Sequence, residues 1–206
     1  NLQGNLGIGH VRYPTAGGVG KEFAQPMYVN TPYGISLAHN GNLTNSKKLA
    51  AELFHAERRH INTDSDSEVL LNIFALELSK QEAVFPKPKD FFSAVEKTHL
   101  RINGAYAVVA LITGYGILAF RDPLGIRPLS IGIRKGKNRN EYVVSSETAL
   151  FSSTGFKFLR DVEPGEAVFI DNAGKIFTQQ CSTSSQKKPC IFEYVYLARP
   201  DSTIDE

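Results

Sequence analysis

Two β-rich runs, Ala105 to Ile112 and Gly116 to Phe120, are separated only by Thr113-Gly114-Tyr115, and no other feature constrains the fold as much. A three-residue, glycine-containing connection between such runs is a hairpin signal, so the pair is antiparallel. Asp122-Pro123-Leu124-Gly125 then turns the chain into Pro128 to Ile133, a basic loop at 134–140, and Glu141 to Ser145. Further strands are predicted at 166–170, 175–180 and 191–197, with Asp171-Asn172-Ala173-Gly174 as a tight connection. The first half reads differently. Leu49, Leu53 and Phe54 fall at helical spacing between about residues 45 and 57. Ser65-Asp66-Ser67-Glu68 fits a capping box ahead of Val69, Leu70, Ile73, Phe74 and Leu78. A third helix is predicted near 89–101, after Pro86-Lys87-Pro88. Helices gathered in one half and hairpins in the other imply an α+β layered domain rather than βαβ units.

With 206 residues the chain fits one domain, or at most two small ones. A hydrophobic share of 42% against 21% charged excludes a disordered tail or a collagen-like repeat. A net charge of +2 gives no electrostatic footprint for nucleic acid, and no apolar run is long enough to span a bilayer. Cys181 and Cys190 are too few for a disulfide framework and lack metal-site spacing. The expected class is a soluble, cytoplasmic protein without membrane or nucleic-acid partners. The chain opens Asn1-Leu2-Gln3-Gly4, has its single Met at Met27, and residues 5–13 read as a buried strand. The expectation is a piece of something longer.

Three stretches could carry chemistry. Ala38-His39-Asn40-Gly41-Asn42 would ordinarily be a hairpin turn, but Leu43-Thr44-Asn45 leads into a helical pattern instead of a return strand. A polar cluster at a strand's end, tipped by Gly, can aim an Asn amide and a bare backbone N–H at one point. Two such donors make an oxyanion hole, in which each donor lowers a barrier by roughly 3–4 kcal/mol. In His10-Val11-Arg12-Tyr13-Pro14-Thr15-Ala16-Gly17-Gly18, alternation puts His10 and Arg12 on one face, opposite Gly9, Val11 and Tyr13. The planar guanidinium of Arg12 suits a carboxylate. Asp66 stands at the first helical position after its cap, where an acid needs no function beyond the helix dipole. An acid and Arg12 in one pocket would nevertheless match both charged ends of a free α-amino acid.

These residues also carry a family resemblance. The stretches Gly9 to Gly17, Leu37 to Asn45 and Ser65 to Glu68 resemble the glutaminase domain of the amidophosphoribosyltransferases, also called glutamine phosphoribosylpyrophosphate amidotransferases. The likeness continues, in order, through Arg121 to Pro128, Ser145-Ser146-Glu147 and Phe192 to Ser202. It implies an N-terminal-nucleophile hydrolase fold, a four-layer αββα sandwich with mainly antiparallel sheets. The substrate it implies is glutamine, whose ammonia passes to a phosphoribosyltransferase domain that forms phosphoribosylamine, opening purine synthesis. By the family pattern Arg12 holds the α-carboxylate of glutamine and Asp66 its α-ammonium. Asn40 and the Gly41 N–H stabilise the oxyanion, and Tyr13 and Thr15 belong to the glutamine-site loop.

The family's nucleophile is a cysteine at the mature N-terminus whose own α-amine serves as base. Asn1 cannot take that role, so residues 1–206 are expected to be a partial class II glutamine amidotransferase domain, inactive alone. A cysteine-bearing segment is expected upstream and a phosphoribosyltransferase domain after residue 206, with Mg2+ bound in that domain and no cofactor or metal here. Homo-oligomerisation is expected as well. Cys181 and Cys190 are read as ordinary thiols, and His39 as a hydrogen-bonded structural residue rather than a base. His55, His60 and His99 are read as surface residues. Arg121 and Arg127 should pin the Pro-Leu-Gly turn, and Phe91, Phe92, Phe156 and Phe158 should pack in the core or at an interface. Two alternatives stand beside this one: a glutaminase serving another acceptor, such as a sugar phosphate or aspartate, and a non-catalytic glutamine- or partner-binding module.

Overall fold

The computed structural model describes residues 4–11, 20–183 and 186–204. Helices α1 (Ser46–His55), α2 (Asp66–Ser79) and α3 (Pro88–Arg101) cover one face of a six-stranded antiparallel sheet. Its strands are β1 (Met27–Val29), β2 (Ile35–Leu43), β3 (Gly104–Ile112), β4 (Gly116–Arg121), β8 (Glu166–Asp171) and β9 (Ile176–Gln180), ordered β1-β2-β3-β4-β8-β9. A three-stranded sheet, β6-β5-β7, lies against the other face, with β5 (Ser130–Lys135) between β6 (Asn140–Ser145) and β7 (Lys157–Asp161).

Helix α2 is apolar nearly all round, with residues 67–78 buried, and so it becomes the central element of the helical layer. Ser65 caps it by accepting the Ser67 N–H at 3.3 Å. The capping box is only half made. The Glu68 carboxylate instead takes four hydrogen bonds of 2.7–2.9 Å from the backbone and side chains of Asn62 and Thr63. Those four outweigh the single bond Ser65 could have offered, and the Ser65 N–H goes to Thr63 Oγ1 instead. Arg101 of α3 forks to Glu77 of α2 and Glu52 of α1, both at 2.5 Å, tying the three helices together.

Between the sheets a smaller core joins Ala107, Ala119, Val168 and Ile170 to Leu129, Ile131 and Val162. The outer face of β5 is covered by α4 (Ala149–Ser153), which completes four layers. Gly132 makes this possible, because a Cβ there would stand 2.9 Å from the Phe151 ring. The chain passes from β4 to β5 through a loop built on buried charges. Arg121 donates to the carbonyls of Arg127, Gly125 and Val162, while Asp122 accepts the N–H groups of Leu124, Ile126 and Arg127.

The structure corrects several sequence expectations. Residues 4–11 form no strand and Val11 is exposed, because no neighbouring strand among the described residues pairs with them. Strand β2 does not stop at Ala38 but runs through Leu43, its polar half held in register against β3. The apolar run at 191–197 is helical and ends in a π-helical turn, Glu193–Leu197, with Tyr194, Val195 and Tyr196 exposed, since no sheet edge among the described residues receives it. His99 is buried, its Nδ1 2.7 Å from the Tyr106 hydroxyl. Arg121 does pin its turn, whereas the Arg127 guanidinium leaves the turn for Glu193, 2.6 Å away.

Candidate active site

The polar half of β2 borders a cavity of about 1700 Å³. Strand alternation decides what each residue there can do. Ile35 and Leu37 point into the helix-side core, while Ala38, Asn40 and Asn42 line the cavity between the sheets. The Asn40 amide reaches across this gap, donating from Nδ2 to Ser146 Oγ at 2.9 Å. Ser146 follows the last residue of β6, so the bond spans the two sheets.

The main chain alternates as well. Tyr106 on β3 is opposite Gly41, and its own N–H and C=O both engage Asp122 on the far side. Gly41 therefore turns its backbone groups away from β3, toward the edge of β2 beyond the end of β1. Its neighbours in phase behave the same way. The His39 N–H and C=O pair with the Gln25 side chain at 2.7 and 3.3 Å, and the Leu43 N–H donates to Asp66 Oδ2 at 2.9 Å. The Gly41 N–H lies between them on that edge. Only glycine suits this position, because φ is +142° and a Cβ would sit 1.9 Å from the Ala105 carbonyl oxygen.

His39 faces the helices. Its Nδ1 is 2.9 Å from Ser67 Oγ and its Nε2 is 3.9 Å from Asp66 Oδ2. Burial lowers its pKa to about 4 despite the Asp66 carboxylate, with His10 and Arg127 acting electrostatically in the same direction as burial. A neutral, hydrogen-bonded imidazole agrees with the structural reading. Asp66, at the N-terminus of α2, is thus held between β2 and the cavity, which it also lines.

At another part of the cavity wall stands the Arg127–Glu193 ion pair. Burial pushes the Glu193 carboxyl above its ordinary value, although the Arg127 guanidinium pulls it down. The 145–149 turn is clasped by the chain's last described segment. Ser202 donates its hydroxyl to Glu147, and the Thr203 N–H donates to Thr148 Oγ1 at 2.7 Å.

The structure thus brings Asn40, Gly41 and Asp66 to one cavity. Arg12, Tyr13 and Thr15 lie outside the described residues. Cys181 is buried and its thiol is pushed up to about 12, chiefly by burial, so it is unsuited to attack. Among the described residues no group of three or more His, Cys, Asp or Glu could hold a metal ion. None of the described helices is long and apolar enough to cross a membrane. Sequence reasoning gave no role to Ser67 or Ser146, whose partners are 28 and 106 residues away and leave no local signal.

Comparison with known proteins identifies the family and the fold. Residues 19–153 match the family model described as a glutamine amidotransferase domain. The chain is 57% identical to the amidophosphoribosyltransferase of Escherichia coli over its whole length and 41% of that protein. It is 56% identical to that of Pasteurella multocida over 99% of this chain and 40% of that one. The chain therefore spans about two fifths of the length of these relatives. Among solved structures, the glutamine phosphoribosylpyrophosphate amidotransferase from B. subtilis superposes with a TM-score of 0.78 at 34% identity, covering 95% of this chain and 39% of that one. The fold is that of the N-terminal-nucleophile hydrolases. The chain belongs to the glutamine amidotransferase domain family.

Proposed function

We propose that this chain is the glutamine-hydrolysing part of an amidophosphoribosyltransferase, and that the cavity beside β2 binds glutamine. The observation that carries the reading is the convergence of the Asn40 amide, the Gly41 backbone and the Asp66 carboxylate on one cavity. Asp66 takes the α-ammonium of glutamine, and Arg12 takes the α-carboxylate, with Tyr13 and Thr15 in the glutamine-site loop as in the family pattern. Attack of the family's N-terminal cysteine sulfur on the side-chain carbonyl carbon moves the C=O electron pair onto oxygen. Asn40 and the Gly41 N–H stabilise that oxyanion. Its collapse breaks the C–N bond, ammonia leaves with a proton from the base, and water hydrolyses the thioester to glutamate. The ammonia displaces pyrophosphate from phosphoribosyl pyrophosphate in a phosphoribosyltransferase domain, giving phosphoribosylamine.

The test uses the full-length polypeptide that carries this chain. Asp66→Ala and Arg12→Ala should each weaken glutamine-dependent synthesis strongly while ammonia-dependent synthesis persists. Equal loss of both activities would assign these residues to the fold rather than to the pocket.

A further inference from the structure

We propose that Ser146 is a positioning residue for glutamine hydrolysis: its hydroxyl fixes the plane of the Asn40 amide so that the second Nδ2–H is aimed at the reacting oxygen. This rests on the reading of Asn40 as an oxyanion donor.

The terminal torsion of an asparagine has a broad, shallow energy profile, so an amide at a cavity wall does not hold its direction unaided. The amide of Asn40 carries two hydrogens on Nδ2, and the 2.9 Å bond to Ser146 Oγ occupies one of them. Because the group is planar, fixing one N–H fixes the direction of the other. A donor contributes to the barrier only when it already points where the charge develops, and that requires a stiff anchor.

Ser146 is such an anchor because its turn is secured on both sides. The preceding residue, Ser145, pairs with Ser130 of β5, and its hydroxyl accepts the Glu147 N–H at 3.1 Å. The following residue, Glu147, receives the Ser202 hydroxyl on its carboxylate, and its carbonyl accepts the Leu150 N–H as α4 begins. Asn40 is therefore held by a turn belonging to the opposite sheet, and its direction depends on how the two sheets sit together. The same bond could serve merely as a tie between sheets. Kinetics separates the two roles, since a tie affects the folded fraction and an aimed donor affects turnover.

Steady-state glutamine hydrolysis by the full-length polypeptide is measured for Ser146→Ala, Ser146→Thr, Asn40→Ala and the Asn40→Ala/Ser146→Ala double variant, each corrected for folded fraction by thermal unfolding. Ser146→Ala should lower kcat roughly 10-fold or more with KM within about twofold, and Ser146→Thr, which keeps the hydroxyl, should recover most of it. In the Asn40→Ala background the serine substitution should have no further effect on kcat. Multiplicative losses in the double variant, a change confined to KM, a folded Thr variant as slow as Ala, or a kcat loss that vanishes on correction would each overturn the inference. Wild-type kcat in Ser146→Ala beside a large loss in Asn40→Ala would sink the serine's role alone. Unchanged turnover in Asn40→Ala would instead sink the oxyanion reading beneath it.

Discussion

His39 and Asn40 are neighbours in β2 with opposite chemical fates, because alternation sends one toward the helices and the other between the sheets. Asn40 keeps a polar group at the cavity wall, where it can meet charge that exists only in a transition state. Its replacement by Ala should therefore lower kcat for glutamine by about 100-fold while KM changes little, as steady-state kinetics would show. His39 is neutral when folded, with a pKa near 4, and His99 matches it in burial and in value. An unfolded histidine titrates near 6.5, so the unfolded chain binds protons before the folded one does. The stability from keeping each imidazole neutral is complete above about pH 6.5 and is lost as the pH falls toward 4, by about 1.4 kcal/mol per pH unit per histidine. Denaturant unfolding across that window should show the slope, and His39→Gln should reduce it by one proton's worth. A slope unchanged in that variant would mean that His39 is protonated in the folded state.

Strand β2 is the element on which the site depends, and Gly41 is its most constrained position. At φ +142°, with the Ala105 carbonyl 1.9 Å from any added Cβ, Gly41→Ala must break the β2–β3 ladder locally. The expected cost is about 3 kcal/mol or more in a urea unfolding curve, whereas Gly9→Ala, with nothing within 4 Å of its Cβ, should stay within about 0.5 kcal/mol. The same strand shows what sequence could and could not reveal. Helix α2 and the β3–β4 hairpin were legible because a capping serine ahead of a long apolar run and a short glycine turn are local signals. The extension of β2 through His39-Asn40-Gly41-Asn42 was not, since polar residues in a strand look like its end unless the cavity they line is known. Strand β7 is mostly exposed and lacks alternation, and the apolar run at 191–197 has strand propensity but no strand to pair with among the described residues. Of the site, Asn40, Gly41 and Asp66 could be named from motifs, while Ser146 acquires meaning only through a contact 106 residues away.

The two sheets owe their relation to the buried pair Arg121 and Asp122, which are 1% and 0% exposed. The loop they organise carries the chain from β4 to β5, and the Val162 carbonyl, held by Arg121 at 2.9 Å, lies on the return from β7 to β8. One guanidinium thus fastens both crossings between the sheets. Its remaining donors fix Gly125 and Arg127, whose own side chain reaches Glu193 at the cavity wall, so the joint also shapes the site. Arg121→Met would leave the buried carbonyls of Gly125, Arg127 and Val162 without their donor. Breaking a buried, fully bonded charge should destabilise the molecule by about 3–5 kcal/mol. Arg134 offers the control, because its bonds to Glu141 are exposed; Arg134→Met should change stability by no more than about 1 kcal/mol. Guanidinium unfolding of the two variants measures the difference. Equal midpoints would show that the small apolar core between the sheets, and not the arginine, sets how they sit together.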